Sequence, residues 1–173
     1  MKKTTIKRML SGFVVVAVLT GCATSQPTYT PLAFDEAEYA ALAKEGTGVV
    51  RGQVFAKTRG GDVKKGAGNN VVMMPATKFG DQRYYEQLIA GKLLSTSEDR
   101  RHHGYMKTKT TDGEGRFEFI DVPPGKYYVF SDVTWEVPST NPYMRGMMET
   151  QGGRVVGKFE VKNGAVTDAV LSR

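Results

Sequence analysis

Apolar and polar residues alternate with a period of two along most of the chain after residue 47, and this alternation predicts β-strands that bury one face. The alternating or short apolar stretches are residues 49–56, 71–74, 105–110, 116–119, 127–137, 154–161 and 165–171. Turn-forming residues separate several of them, at Asp112–Gly115, Pro123–Gly125 and Asn163–Gly164. Because Asp-Gly and Asn-Gly pairs favour hairpins, about seven short strands indicate an antiparallel β-sandwich and an all-β fold.

The segment before the β pattern predicts a tether and a short helix. Residues 23–31 are rich in Thr, Ser, Gln and Pro, a composition typical of flexible linkers. Residues 35–44 then predict a helix that Asp35 caps, with Glu38 three residues later as in a capping box. We therefore assign residues 22–46 to a tether that contains one helix.

Residues 77–104 interrupt the β pattern and predict an insertion in the β domain. Residues 81–94 within it have apolar side chains at helical spacing and predict a helix that Asp81 caps. Long connections in a compact domain are either functional or disordered. Tyr84, Tyr85 and Leu88 are therefore candidate contacts for a protein partner.

The first 21 residues have the pattern of a cleaved export signal. Basic residues occupy four of positions 2–8, and the mostly apolar stretch at 9–19 is shorter than the roughly 20 residues that span a bilayer. The sequence Leu19-Thr20-Gly21-Cys22 follows and resembles the bacterial lipobox. That resemblance implies cleavage before Cys22, acylation of its sulfur and of the new amine, and a permanent membrane anchor.

Two consequences follow for the mature chain. Ala23 comes after Cys22, and in Gram-negative lipoproteins this resemblance implies sorting to the outer membrane. Cys22 is the only cysteine, so its lipidation leaves no thiol for a disulfide or a nucleophile. The alternative is a soluble secreted protein whose single cysteine is incidental.

The formal charge of +6 comes largely from the export signal. Without residues 1–21 the chain has 20 basic and 18 acidic residues, a balance of +2. This balance excludes a protein that coats nucleic acid, because such a protein needs a basic stripe. We expect a single β domain at residues 47–173, which is long enough for one core without disulfides.

Two stretches of the β domain carry a family resemblance. Residues 111–119 (TDGEGRFEF) and 122–129 (VPPGKYYV) resemble the T-x-x-x-G-x-F-x-F and V-P-P-G-x-Y-x-V signature of the carboxypeptidase regulatory-like family. Residues 49–54 are similar to its opening strand. The resemblance implies a transthyretin-like antiparallel sandwich of about seven strands. It implies no activity, since this fold serves unrelated proteins, and it carries no catalytic or ligand residues to this chain.

Residues 139–151 form a predicted loop that is rich in methionine. Tyr143, Met144, Met147 and Met148 combine an aromatic anchor with flexible, adaptable side chains, which is typical of protein-binding surfaces. We therefore favour this loop, together with the insertion, as the surface for an envelope protein partner.

Copper binding is an alternative for the same methionines. Thioethers select Cu(I) over hard cations, and His102 and His103, the only histidines, are the available imidazole ligands. The candidate copper ligands are His102, His103, Met144, Met147 and Met148. An exposed polar loop is the competing interpretation for the two histidines.

Basic residues surround a second predicted loop, at Gly60–Asp62. Lys57, Arg59, Lys64 and Lys65 flank this loop. It is either a solvated hairpin end or a surface for phosphate, lipopolysaccharide or an anionic glycan.

Catalytic motifs are scarce in this sequence. It has no G-x-S-x-G, no H-E-x-x-H and no G-x-G-x-x-G between a strand and a helix. We therefore predict a membrane-anchored, non-enzymatic binding module without a cofactor, acting in the cell envelope on a protein partner. Glycan binding through Trp135 is a further alternative that requires an exposed ring, whereas Trp in a sandwich strand is commonly part of the core.

Overall fold

The computed structural model describes residues 25–173. The export signal, the lipobox and the lipidation of Cys22 therefore lie outside the described residues. No helix within residues 25–173 is long and apolar enough to cross a membrane. With 46% strand and 17% helix, the chain is mostly β-structure with antiparallel sheets, which confirms the all-β prediction.

Ten strands and two short α-helices make up the described chain. The strands are β1 (Thr28–Tyr29), β2 (Gly48–Lys57), β3 (Val63–Lys65), β4 (Asn70–Pro75), β5 (Leu93–Leu94), β6 (Lys107–Thr110), β7 (Arg116–Val122), β8 (Gly125–Pro138), β9 (Met148–Val161) and β10 (Val166–Ser172). The helices are α1 (Glu36–Ala40) and α2 (Lys78–Gln82), followed by a π-helical segment (Arg83–Ile89) and 3₁₀ turns at Arg100–Tyr105 and Pro142–Met144.

Two four-stranded sheets enclose the main core. The first has the order β10-β2-β3, with β7 also paired to β2, and the second has the order β6-β4-β8-β9. Strands β10 and β2 are parallel, and the other pairs in these two sheets are antiparallel. The core combines side chains from both sheets, among them Val54 and Phe119 from the first and Val129 and Val155 from the second.

The predicted alternation decides which side chains enter this core. On β2, Val50 and Val54 are buried, and on β7, Phe117 and Phe119 are buried, as period-two patterning requires. The predicted strand at 105–110 begins only at Lys107, because a 3₁₀ turn occupies the residues before it.

The turn motifs connect different sheets rather than forming hairpins. Asp112–Gly115 joins β6 to β7, Pro123–Pro124 joins β7 to β8, and Asn163–Gly164 joins β9 to β10, and each of these pairs of strands spans both sheets. The hairpins are instead β2–β3 and β8–β9. A turn motif fixes only local dihedral angles, whereas strand pairing depends on which apolar faces meet across the core.

The N-terminal segment is held to the domain. Asp35 caps α1 by accepting a hydrogen bond from the Glu38 amide, as predicted. The Glu38 carboxylate does not complete a capping box; it accepts from the Lys78 amide at 2.9 Å instead. The prediction of a flexible tether over residues 23–31 is wrong from residue 28 onward, because β1 pairs with β5 and buries Tyr29.

The insertion covers the outer face of the second sheet. Its helix begins at Lys78 with Thr77 as the cap, so the predicted start at Asp81 is wrong. Asp81 instead accepts a hydrogen bond from the buried Tyr128 hydroxyl at 2.5 Å. Leu88 packs with Met74, Tyr128 and Phe130 in a second apolar cluster. The π-helical segment therefore lies on the sheet because its apolar side chains complete this cluster.

His102 ties the N-terminal segment to the insertion. Its imidazole stacks on Phe79 with ring centroids 3.6 Å apart, and its Nδ1 lies 2.9 Å from the Tyr39 hydroxyl. That hydroxyl also lies 3.1 Å from the Thr77 hydroxyl, which caps α2. One buried imidazole thus connects α1, α2 and the 3₁₀ turn.

We expect the free energy of unfolding to fall as the pH drops below about 6.5, because burial lowers the pKa of His102 below its ordinary value of 6.5. Between these two pKa values the unfolded chain binds the proton more readily, with a slope of at most about 1.4 kcal/mol per pH unit. Above the ordinary pKa both states are neutral at this residue, so its contribution is constant. Urea unfolding between about pH 5 and about pH 8 measures the slope. The same slope in His102→Gln would contradict this assignment.

Candidate binding cleft

A cleft of about 940 Å³ opens at one end of the two sheets, between the β2–β3 hairpin and the β8–β9 hairpin. We call it the Trp135 cleft. The hairpin β2–β3 contributes Ala56, Lys57, Thr58, Arg59, Gly60, Asp62 and Lys64, the hairpin β8–β9 contributes Trp135, Glu136, Val137, Gln151 and Gly152, and Arg173 follows β10. The cleft therefore exists only because strands from both sheets end there.

The wall formed by β8 and β9 is a two-stranded arm, which we define as residues 132–138 and 148–154. Strand β4 pairs with β8 only as far as Ser131, whereas β8 and β9 stay in register to Pro138 and Met148. The arm therefore extends past β4, and it carries side chains of the core face of β8 beyond the end of the core.

Trp135 is the only tryptophan, and it lies in this arm. Its ring is half-buried, because it packs against the main core on one side and lines the cleft on the other. A side chain at Gly152 would bring a Cβ within 2.8 Å of the Trp135 ring and within 2.0 Å of the Val133 carbonyl oxygen. Gly152 also has φ +105°, which disfavours other residues. The ring position thus depends on glycine at 152.

The opposite wall is held by hydrogen bonds within the β2–β3 turn. The Thr58 hydroxyl accepts from the Asp62 amide at 3.0 Å, and the Thr58 carbonyl accepts from the Gly61 amide at 3.0 Å. Gly61 has φ +93°, as this turn requires. These hydrogen bonds fix the backbone of the turn, and so they fix the positions from which the basic side chains on both sides of it extend.

Four basic residues and two acidic residues contribute atoms to the walls of the cleft. The basic residues are Lys57, Arg59, Lys64 and Arg173, and the acidic residues are Asp62 and Glu136. The Lys57 amide donates to the Arg173 carbonyl at 2.9 Å, and this hydrogen bond holds Arg173 beside the β2–β3 hairpin. The Arg173 guanidinium then reaches across to the Gly152 carbonyl at 3.4 Å.

This combination of groups suits a ligand with both apolar and hydroxyl faces. A half-buried indole ring offers a flat apolar surface, and amide, carboxylate and guanidinium groups offer donors and acceptors around it. Concave sites with a few convergent polar groups are the usual form of small-ligand sites.

The insertion places its predicted partner contacts unequally. Leu88 is buried, and Tyr84 stacks on Tyr128 with ring centroids 4.3 Å apart. Tyr85 is 60% exposed, and Ile89 is also mostly exposed. Of the three predicted residues, only Tyr85 presents most of its side chain to solvent, because the other two hold the insertion to the sheet.

The methionine-rich loop lies at the tip of the arm. Tyr143 is 96% exposed, and Met144, Met147 and Met148 are also exposed. Tyr143 and Met144 lie in a 3₁₀ turn that Asn141 caps through its side-chain oxygen, Met147 follows this turn, and Met148 begins β9. The structure therefore groups the predicted loop residues on one exposed tip.

The two histidines are engaged elsewhere. The ring nitrogens of His102 face the Tyr39 hydroxyl and the Leu32 carbonyl inside an aromatic cluster, and His103 pairs with Glu98. Within residues 25–173, no group of three or more His, Cys, Asp or Glu side chains is placed to hold a metal ion. Because both ring nitrogens of His102 face protein oxygens, its imidazole does not fit the predicted copper site with the arm methionines.

Some residues of the cleft were not identified from sequence. No sequence motif identifies Gln151, Gly152 or Arg173. The pair Gly152-Gly153 is the available signal, because consecutive glycines inside a strand pattern indicate close approach of another backbone. The basic residues of the β2–β3 turn and Trp135 were recognised separately, and only the tertiary structure brings them to one cleft.

The chain is similar to a protein of known structure. No family model and no curated protein matches the chain. A crystal structure of a protein from Pseudomonas aeruginosa, named as a "putative carbohydrate binding protein", superposes with a TM-score of 0.71 at 31% sequence identity. The match covers 81% of this chain and 97% of that protein. At this identity and coverage, the chain belongs to the same family as the Pseudomonas aeruginosa protein.

Proposed function

We propose that this chain is a non-catalytic glycan-binding module of the bacterial cell envelope, and that the Trp135 cleft is its binding site. The observation that carries the proposal is the half-buried indole ring of Trp135 within a large polar cleft. The name of the Pseudomonas aeruginosa relative supports the same ligand class.

Sugar rings fit the physical character of this cleft. A pyranose has one face of C–H groups, which packs against an aromatic ring, and an edge of hydroxyls, which need donors and acceptors. Gln151 is the cross-strand partner of Trp135 on the arm, and Arg59 and Asp62 lie on the opposite wall. A sugar stacked on Trp135 would therefore meet polar groups from both hairpins.

Replacement of Trp135 by Ala is expected to weaken glycan binding by about tenfold or more, since it removes the stacking surface. Trp135→Phe keeps a smaller ring and is expected to retain part of the binding. The measurement is binding of the full-length lipidated chain, in mild detergent, to an array of neutral and acidic oligosaccharides.

The matched control is Tyr85→Ala, which removes an exposed aromatic ring from the insertion rather than from the cleft. We expect this variant to bind the array as the unmodified chain does. Absence of binding to every glycan, or equal binding by Trp135→Ala, would refute the proposed function.

The proposal includes anchoring through a lipidated Cys22 at the outer membrane. Because β1 begins at Thr28, residues 23–27 are the link between Cys22 and the first strand. Fully extended, these residues reach roughly 20 Å. The domain of an anchored chain would therefore lie close to the membrane surface.

We also infer that the two-sheet domain is of the transthyretin-like type that the carboxypeptidase regulatory-like signature implies. The signature residues support this inference, because Phe117 and Phe119 lie in the core and the Tyr127 hydroxyl donates to the Pro123 carbonyl at 2.9 Å. These roles are structural, which agrees with a domain that serves as a module for binding rather than for catalysis.

A protein partner at the arm tip is the second candidate. The specific observation in its favour is the group of Tyr143, Met144, Met147 and Met148, each of which is at least 44% exposed. Cross-linking of the lipidated chain in cells separates the two candidates. A stoichiometric protein attached through the arm tip would support this one.

A further inference from the structure

We propose that the ligand of the Trp135 cleft is an anionic glycan, one whose sugars carry carboxylate or other acidic groups. This inference rests on the proposed function and adds the chemical class of the sugar. It depends on the charged residues of the cleft rather than on the Trp135 ring.

The basic side chains of the cleft have no acidic partner. Within residues 25–173, none of Lys57, Arg59, Lys64 and Arg173 forms an ion pair, although the same part of the chain contains ion pairs elsewhere. The side chain of Lys57 leaves β2 on the face opposite Ala56, so the other cations of the cleft are Arg59 and Lys64 on the β2–β3 hairpin and Arg173, which reaches from the end of β10 to Gly152. Like charges gathered in one cleft repel one another, and an acidic ligand among them relieves that repulsion.

The contrast between Lys64 and its neighbour shows that this charge is directed into the cleft. Lys64 is the cross-strand partner of Ala56, a buried residue, so its side chain leaves the strand on the face that meets the second sheet. Lys65 leaves on the opposite face and pairs with Glu114. The partnered lysine thus lies outside the cleft, and the unpaired lysine lines it.

Two consecutive glycines of the arm, Gly152 and Gly153, hold the Arg173 side chain in the cleft. An added Cβ at Gly153 would lie 2.5 Å from an Arg173 guanidinium nitrogen, so the guanidinium occupies space that glycine leaves open. The guanidinium uses one nitrogen on the Gly152 carbonyl. Its planar fork leaves further N–H groups for a carboxylate, which Arg binds through two parallel hydrogen bonds.

The acidic residues of the cleft do not cancel this charge. The side chain of Glu136 leaves β8 on the face opposite Trp135, where its carboxylate accepts a hydrogen bond from the Thr150 hydroxyl at 2.7 Å. Asp62 is exposed at the β2–β3 turn, where its amide is bound by Thr58. The cleft therefore keeps an excess of positive charge, and Asp62 remains as an acceptor for sugar hydroxyls.

Polygalacturonate and its methyl ester test the inference with one sugar backbone, because esterification removes the negative charge and little else. We expect the full-length lipidated chain to bind the acidic polymer about tenfold more tightly than the ester at low salt, and this preference to shrink as salt rises. The triple variant Arg59→Gln/Lys64→Gln/Arg173→Gln is expected to lose the preference. The control Lys65→Gln, which changes the adjacent lysine outside the cleft, is expected to keep it.

The outcomes separate the two proposals. Equal binding of both polymers, lost in Trp135→Ala, would leave the glycan site standing and overturn the charge inference. Binding of neutral glycans alone would overturn it as well. A preference that survives in the triple variant would place the relevant charge outside the cleft and overturn the charge inference too. Binding of no glycan by the unmodified chain would overturn both proposals.

Discussion

Replacement of Gly52 by Ala is expected to lower the free energy of unfolding by about 3 kcal/mol or more. Gly52 lies at the centre of β2, which pairs with β10 on one side and with β7 on the other. An added Cβ would lie 1.8 Å from the Ala169 carbonyl oxygen and 2.9 Å from the Phe117 ring. The two backbones cannot stay paired at that distance, so β2 and β10 must separate. The urea midpoint measures the loss.

Gly60→Ala is the matched control for this prediction. It is the same substitution in the turn that follows β2, where the nearest atom to an added Cβ is the Thr58 hydroxyl oxygen at 3.8 Å. We expect its midpoint to stay near that of the unmodified chain. Equal midpoints for the two variants would show that β2 and β10 are not packed as described. The result also matters for the cleft, because β2 carries Lys57 and β10 leads to Arg173.

Replacement of Phe119 by Ala is expected to cost about 3–5 kcal/mol, the usual cost of truncating a buried phenylalanine. Phe119 is 2% exposed and meets Phe117 edge-on, with ring centroids 5.8 Å apart. Its removal leaves a cavity between the two sheets, which the surrounding strands can fill only in part. Since many domains are stable by only about 5–15 kcal/mol, this variant is expected to be mostly unfolded well below the midpoint temperature of the unmodified chain.

Ile120→Ala tests whether the effect of Phe119→Ala comes from burial rather than from β7 in general. Ile120 follows Phe119 on the same strand but points to the other face and is 56% exposed. We expect a loss of well under about 1 kcal/mol for this neighbour. Thermal and urea unfolding of the two variants side by side give the comparison, and similar losses would contradict the description of the core.

The strands were the part of the fold that sequence predicted best. Alternation needs only one buried face, and both Val50 with Val54 on β2 and Phe117 with Phe119 on β7 are placed as that pattern requires. Strand pairing was not predictable in the same way. The parallel pair of β10 with β2 and the connections at Asp112–Gly115 depend on contacts between residues far apart in the chain.

The helical parts were predicted less accurately. The cap of α1 at Asp35 was correct, because a cap is a local interaction. The start of α2 was placed four residues late, since Asp81 has the chemistry of a cap but is used by Tyr128, which lies in β8. Nothing near Asp81 in sequence signals that partner.

The candidate site shows the same division. The basic turn after β2 and the lone Trp135 were visible in sequence as separate features, but no local pattern joins residues 57–64 to residue 135 or to Arg173. The two hairpins meet because their sheets share one core and end at the same side of it.

The sequence by itself determined the all-β class, the buried faces of the main strands and the cap of α1, because each depends on residues a few positions apart. Tertiary structure alone decided that β1 holds the predicted tether, that His102 is enclosed, and that Trp135 and the unpaired basic side chains face one cleft. These depend on contacts between distant segments, whose free energy is set by packing across the core rather than by local pattern.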